Sequence, residues 1–512
     1  MANSLKQKVA KGAVWALVEQ FCSAFVGFAV SMVLARLLTP DDYGTVAVLN
    51  IFIALAVVLT DSGFMDALIQ KKNATDLDFN SVFYLNQTFS VVLYTVLFFA
   101  ASPIARFYGD PVLKPVLRVI SVTLFFHAVN AVQNAELSRK LLFHLSFKIS
   151  LIGAFTAMAV GISLAYMGAG AWALVWSRVA KGAADVIARW FIIAWRPRLM
   201  FSFHALRGLF QYGWKISLSK LLDTGYSNLY GLLVGKFYSK ADLAYIQKGR
   251  HAPSFLMGIV QSTIERVSFP ALAQMQNEPE RVREAMRRMI QCSTYLVFPF
   301  MTIMAFTAPS LVVLLYGNQW HPSIPFMQIV CFSFALRPFH AINLKAIQAL
   351  GRSDLFLVLE IIKKGIGLTF LLLFFRKGLI VYALISAFAS GPLGVIINSW
   401  PNRKLLRYSI EMQLLDVLPA LLLCIPMAAS IYFMGRVSPE IQSDHGLYFT
   451  LSLRVFFQTV IGILVYIGLS LWKKPSAFLE YVRAITPMLK TKLPTRLQPA
   501  LERFLSYLEI AK

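Results

Sequence analysis

Apolar positions in this chain do not alternate with polar ones; they run on. Stretches of twenty or more mostly apolar residues follow one another to about position 472, divided by short connections rich in Asp, Lys, Arg, Gly and Pro. A helix needs about 20 such residues to cross a bilayer, whereas a membrane barrel strand needs about ten in an alternating pattern. The pattern therefore predicts fourteen spanning helices, at about 12–38, 44–69, 80–105, 113–137, 145–167, 170–194, 208–235, 242–272, 286–316, 324–350, 354–375, 378–400, 414–435 and 447–472. The expected fold class is an all-α integral membrane protein. The first run follows Lys6, Lys8 and Lys11 but contains Glu19 and lacks a small-residue cleavage site. It is too long for a signal peptide and reads as an uncleaved first span.

Composition agrees. Of 512 residues, 57% are hydrophobic and 14% charged, against about a quarter charged in soluble domains. Mean hydropathy is +0.63. The four cysteines (Cys22, Cys292, Cys331, Cys424) all fall inside apolar runs without metal-ligand spacing, as small buried hydrophobes do. The net charge of +24 does not point to nucleic acid once its position is read. With a cytoplasmic N-terminus, the outer connections hold only Arg36, Arg106, Lys114, Lys236, Lys240, Arg376, Lys377 and Arg436, while most other basic residues fall on inner segments such as Arg139–Lys140, Arg196–Arg198, Arg281–Arg288 and Arg403–Arg407. Positive loops stay inside, so both termini are expected in the cytoplasm. About a dozen basic residues remain at membrane depth.

One phrase is written twice. FHAVNAVQNAELSRKLLF begins at Phe126, and FHAINLKAIQALGRSDLF begins 213 positions later at Phe339. Upstream, Tyr108-Gly109 matches Tyr316-Gly317, and the hairpin from Arg36 matches that from Lys236. Each copy holds six spans. An even number returns the chain to its starting side, so the copies are parallel repeats related by an axis along the membrane normal. This predicts a lobe over 1–200, a second over 201–405, two added spans over 406–473 and an amphipathic cytoplasmic tail over 474–512. In the tail, Phe478, Val482, Ile485 and Leu489 recur at helical spacing opposite Arg483 and Lys490, as in helices lying on a membrane surface. The segment 278–288 reads as a charged inner linker in which Glu280 and Glu284 pair with Arg283, Arg287 and Arg288 at helical spacing.

Gly12-x-x-Trp15, the turn Ala35-Arg36-Leu37-Leu38-Thr39-Pro40-Asp41-Asp42-Tyr43-Gly44 and Tyr316-Gly317-x-x-Trp320 resemble the polysaccharide-unit flippases of the multidrug/oligosaccharidyl-lipid/polysaccharide exporter superfamily. The resemblance extends to span count, span order and the two-lobed duplication. It implies a non-enzymatic transporter in the bacterial inner membrane. The implied cargo is an oligosaccharide unit on undecaprenyl pyrophosphate, destined for O-antigen, capsule or exopolysaccharide. It further implies alternating access between lobes, drive by an H+ or Na+ gradient without a bound cofactor, and a cavity lined by spans 1, 2, 7 and 8. Other polysaccharide-assembly membrane proteins are possible partners.

Ionisable residues at membrane depth are costly and mark function by default. On the implied lining spans these are Glu19; Asp61 and Asp66; Lys215, Lys220 and Asp223; and Lys248, Arg250, His251, Glu265 and Arg266. Lys215, Lys220, Lys248 and Arg250 suit a pyrophosphate or acidic sugar. Glu19, Asp61 and Asp223 suit gating or a coupling cation. The repeat offset relates Glu19 to Lys220 and sets them opposite each other. Arg178, Lys181 and Asp185 share one face of span 6 and read as internally paired. His127 and His340 read first as packed bundle histidines. No phosphate-binding glycine loop occurs, which argues against ATP as the direct fuel. Three alternatives stay open: a multidrug/cation antiporter of the same superfamily, a membrane polysaccharide polymerase or ligase, and a non-transporting scaffold recruited through the tail. The short outer connection at about 436–446 disfavours the polymerase.

Overall fold

A computed structural model describes residues 2–61, 63–71, 73–140, 142–437, 444–492 and 498–508. The side chains of residues 2–18 and of Asp66, Lys215, Glu265, Arg266, Lys490, Lys492, Arg496 and Arg503 lie outside the described residues, as does most of the 436–446 connection.

With no water in the hydrocarbon to satisfy the backbone, a spanning chain must bond to itself, and the described residues contain helices and no strand. In order they are α1 (Ala2–Leu37), α2 (Pro40–Asp61), α3 (Phe64–Gln70), α4 (Asp76–Tyr108), α5 (Leu113–Ile120), α6 (Thr123–Arg139), α7 (Phe143–Tyr166), α8 (Ala171–Ile192), α9 (Phe203–Phe237) and α10 (Lys240–Gln274). Then follow α11 (Pro279–Tyr316), a 3₁₀ turn (Asn318–Ser323), α12 (Ile324–Ala335), α13 (Arg337–Ala349), α14 (Ser353–Phe374), α15 (Leu379–Phe388), α16 (Gly394–Leu405), α17 (Ile410–Val437), α18 (Asp444–Lys473), α19 (Ser476–Lys492) and α20 (Gln498–Tyr507).

All fourteen expected spans are helical. Among the described residues, nine stretches are long and apolar enough to cross a membrane by composition alone. The other five are α8, α9, α10, α12 with α13, and α14. They are the spans that carry many of the intramembrane charges. Four of the expected spans are broken, the one at 44–69 being divided between α2 and α3. α5 and α6 part at Ser121–Val122, where Ser121 and Thr123 hydroxyls bond back to the Leu117 and Ile120 carbonyls at 2.6 Å each, a habit that bends helices. In the second copy the matching break falls just before Pro338. α15 runs into α16 through a π-turn at Ala389–Leu393 that contains Pro392.

The duplication is visible in the caps. Thr39 N–H and Oγ1 donate to Asp42 Oδ2 at 2.9 and 2.7 Å, and Asp42 N–H donates back to Thr39 Oγ1 at 3.3 Å. At the head of α10, Ser239 and Asp242 make the same three bonds at 3.1, 2.7 and 3.0 Å. Both are reciprocal capping boxes with an acidic third residue. The Thr-Pro-x-Asp turn is therefore a helix start, with Pro40 at the position where its missing N–H costs nothing. Gly44 is needed for a close approach: a Cβ there would lie 2.1 Å from the Lys240 carbonyl oxygen. The paired Tyr-Gly motifs end α4 and α11 with Gly109 at φ 71° and Gly317 at φ 98°.

Packing divides the chain into two compact units, Met1–Gln247 and Lys248–Lys512. In the first, α7 packs along α1 and α8, and α9 packs on α2, α3 and α4. So α9, which opens the second copy by sequence, sits with the first copy's helices. In the second, α11 is the hub for α12, α13, α17, α18 and α19. Arg287 does not pair with its linker glutamates. Its Nη2 lies 2.6 Å from Asp416 Oδ1 on α17, and Asp416 also accepts from Gln291 at 2.8 Å and from the Tyr408 hydroxyl at 2.7 Å. Arg283 does pair with Glu280, at 2.5 Å. Tyr295 donates to Ser470 at 2.7 Å, and Tyr481 of α19 donates to the Cys292 carbonyl at 3.0 Å. Burial in this aromatic cluster pushes the Tyr481 hydroxyl pKa up. The four cysteines are free.

Candidate functional site in the first unit

Polar chemistry in the first unit concentrates where α2, α6 and α8 meet. A cavity of about 230 Å³ is lined by His127 and Asn130 of α6 and by Arg178, Lys181 and Asp185 of α8, with Ile53 and Phe126 as apolar wall. The helical spacing of 178, 181 and 185 aims these three side chains to one side. Two small residues make the site possible. A Cβ on Gly182 would lie 2.5 Å from the Phe126 ring, and a Cβ on Gly153 of α7 would lie 1.9 Å from Asp185 Oδ1.

Lys181 Nζ pairs with Asp185 Oδ2 at 2.7 Å, the internal pairing the sequence predicts. Arg178 takes no part in that pair. It is exposed to the cavity and donates to the Asn50 side chain on α2. The net result is a space holding one guanidinium beyond its carboxylate count. One turn further along α8, Arg189 is 6% exposed, and the charges of Asp185 and Glu19 act on it. Glu19 Oε1 accepts a hydrogen bond from Ser150 of α7 at 3.3 Å. Glu19 is therefore held by α7 and α8, and no ion pair joins it to Lys220.

Lys220 of α9 lies instead 3.8 Å from Asp61 Oδ2 at the end of α2, with the two side chains 45% and 23% exposed. This joins two of the predicted site residues across the implied lining spans. The approach is set by Gly63 (φ 70°), where a Cβ would lie 2.2 Å from the Gly213 carbonyl oxygen. Asp223 is exposed about one turn further along α9.

In the second unit, Lys248 and Arg250 part company. Lys248 is buried, 4% exposed. Its ammonium lies 5.1 Å from the Tyr316 ring centre and 5.4 Å from that of Trp320. Both distances are within cation–π range. His251 Nδ1 lies 3.2 Å from the Tyr316 hydroxyl. The Tyr-Gly-x-x-Trp motif thus places two aromatic rings against the buried Lys248 ammonium. Arg250 is exposed. His340, the repeat partner of His127, is a packed histidine with Nδ1 3.1 Å from Asn398. His127 lines the cavity. The sequence could not separate the two, because their phrases are nearly identical and only the neighbouring helices differ.

Comparison with known proteins fits this picture. Residues 33–325, more than half of the chain, match the family model described as polysaccharide biosynthesis protein. The chain belongs to the polysaccharide biosynthesis protein family. Among curated relatives of this family member, the teichuronic acid biosynthesis protein TuaB of Bacillus subtilis is 22% identical over 420 residues, 80% of this chain and 85% of that one. The lipopolysaccharide biosynthesis protein WzxC of Escherichia coli is 23% identical over 345 residues, 65% of this chain and 68% of that one. The fold is similar to that of the lipid II flippase MurJ in its inward closed conformation, with TM-score 0.71, 15% identity and coverage of 90% of this chain and 99% of that one. An inward-facing multidrug resistance transporter of the exporter superfamily is similar at TM-score 0.54, with 16% identity over 76% of this chain and 99% of that one. The protein is a multi-pass membrane protein of a transporter fold.

Proposed function

We propose that the protein is a flippase. It carries an oligosaccharide repeat unit linked to undecaprenyl pyrophosphate from the cytoplasmic to the periplasmic leaflet of the bacterial inner membrane. The observation that carries this reading is a cation-lined cavity at membrane depth in a chain of the polysaccharide biosynthesis family. The relatives' names agree with it. One is a succinoglycan biosynthesis transport protein of Rhizobium meliloti, 22% identical over 326 residues, and the structural neighbour MurJ is a lipid II flippase.

Each group has a role in this reading. A lipid pyrophosphate or an acidic sugar needs fixed positive charge along its route. Arg178, Lys220, Arg250 and, beyond the described residues, Lys215 supply it, and Lys181 is held back by Asp185. Lys248, buried against the two rings, fixes the Tyr316–Trp320 end of α11. Asp61 competes with cargo for Lys220, so the pair is a gate that cargo binding opens. Glu19 and Asp223 are the candidates for the coupling H+ or Na+. The lobes at 1–200 and 201–405 rock to alternate access, and both termini stay in the cytoplasm.

The test is lipid-linked oligosaccharide analysis of a deletion strain. Completed units accumulating on the carrier in the cytoplasmic leaflet support export, with rescue by the wild-type chain. Units that reach the outer leaflet but stay unpolymerised overturn it in favour of a polymerase.

A further inference from the structure

On the second unit, α14 and α16 leave a recess of about 250 Å³ that is almost wholly apolar. Leu359 and Ile362 form one wall, Ile396, Ile397 and Trp400 the other, and Arg403 stands at one end. Ile362, Ile396 and Trp400 are 41%, 52% and 67% exposed, so the recess is open at the surface of the unit. Arg403 is followed by Lys404 and Arg407, both exposed. Among the described residues none of the three has an ion-pair or hydrogen-bond partner. Of the acids on the flanking helices, Glu360 pairs with Lys363 at 2.5 Å and Asp354 with Arg352 at 2.7 Å, while Glu411, beside Ile410 of the recess, accepts from Ser409 at 3.5 Å.

We infer that this recess is a binding site for an anionic membrane phospholipid, one acyl chain lying in the slot and the phosphate on Arg403. Orientation anchoring alone accounts for basic residues at an inner helix end. It does not account for an apolar slot ending at them. A slot facing lipid fills with hydrocarbon whatever the lipid; unpaired cations at its mouth select the headgroup by charge. Trp400, exposed one turn before Arg403, sits where interfacial aromatics sit. Arg403 offers a planar fork to a phosphate, Lys404 and Arg407 a diffuse field. This site is separate from the polar cavity of the first unit, so it stands or falls independently of the cargo.

The experiment uses the full-length protein purified in detergent and titrated with phosphatidylglycerol or phosphatidylcholine of the same acyl chains. Binding is read by native mass spectrometry and thermal shift. Phosphatidylglycerol is expected to bind about tenfold more tightly. Arg403→Ala should weaken it about fivefold and leave phosphatidylcholine unchanged, while Arg403→Lys retains most of the preference. Ile396→Trp, which fills the slot, should abolish both. Should Ile396→Trp fail to give a monodisperse protein, Ile362→Trp fills the same slot from the opposite wall. Equal binding of the two lipids overturns the inference. So does a preference that survives slot filling, which would reduce the site to a charged patch.

Discussion

At the scale of single residues, the decisive contrast is between charges that are paired and charges that are presented. Sequence spacing resolves the first kind well. Lys181 and Asp185, four apart, pair as expected. It resolves the second kind poorly, because presentation depends on the rotation of a helix against neighbours far away in the chain. Arg178 reads as one member of a paired triad, yet it turns to Asn50, 128 residues earlier, and faces the cavity. Lys248 reads as a cargo ligand, yet it is buried near Tyr316 and Trp320. Two predictions separate these classes. Arg178→Ala should lower export at least tenfold at normal expression, with Arg178→Lys intermediate because it keeps charge but loses the fork; lipid-linked unit accumulation in the complemented deletion strain measures it. Lys220 and Asp61, at 3.8 Å and half-exposed, form a pair of about 1 kcal/mol or less. Lys220→Ala should therefore barely shift the melting temperature while cutting export. The swap Lys220→Asp with Asp61→Lys should restore melting but not export, because the cation has left α9. Full export by the swap would mean that the pair is merely structural.

At the scale of elements, all fourteen helical stretches were legible: a bilayer leaves the backbone no alternative to internal bonding, and apolar length marks nine of them outright. The breaks inside spans were not legible. Ser121 and Thr123 act through local hydroxyl bonds that look like any other serine or threonine in an apolar run. The duplicated hairpin shows why sequence identity understates the repeat. Thr-Pro-Asp-Asp and Ser-Lys-Ala-Asp share little, but both place a hydroxyl at the N-cap and an aspartate three residues later, and both close the same reciprocal box. Asp42→Ala and Asp242→Ala should accordingly each cost about 1 kcal/mol, with similar shifts in melting temperature. Gly44→Ala should cost more, about 1–3 kcal/mol, since its methyl would meet a backbone carbonyl that cannot rotate away. Equal costs for Gly44→Ala and a remote exposed substitution would show that the α2 start is not tightly seated.

At the scale of the whole molecule, topology is where the two ways of counting spans come apart. By composition alone nine stretches qualify among the described residues. The repeat and the charge distribution read from the sequence predict fourteen. The five in dispute, α8, α9, α10, α12 with α13, and α14, hold Arg178, Lys181, Asp185, Arg189, Lys220, Asp223, Lys248, Arg250, Arg337 and Lys363. Each intramembrane charge costs roughly 2.5–3.5 kcal/mol on insertion scales, so isolated copies of these helices would insert poorly. Several of these charges are shielded by protein. Arg189 is buried and feels the charges of Asp185 and Glu19, Lys248 is buried near two rings, and Lys363 pairs with Glu360 at 2.5 Å. Reporter fusions test this directly. Fusions near 110, 168, 238, 317, 377 and 440 should report the periplasm, and fusions near 72, 141, 200, 276, 351, 407 and 474 the cytoplasm. A failure of any one disputed helix to cross would invert every later reporter, so the sign at 440 depends on all five. Asp185→Ala sharpens the test: it strips Lys181 and Arg189 of their nearest anion while leaving the apolar length of α8 unchanged. The full-length variant should then show a fraction of molecules with inverted reporters beyond residue 192, whereas a charge-neutral substitution on the lipid face of α7 should not.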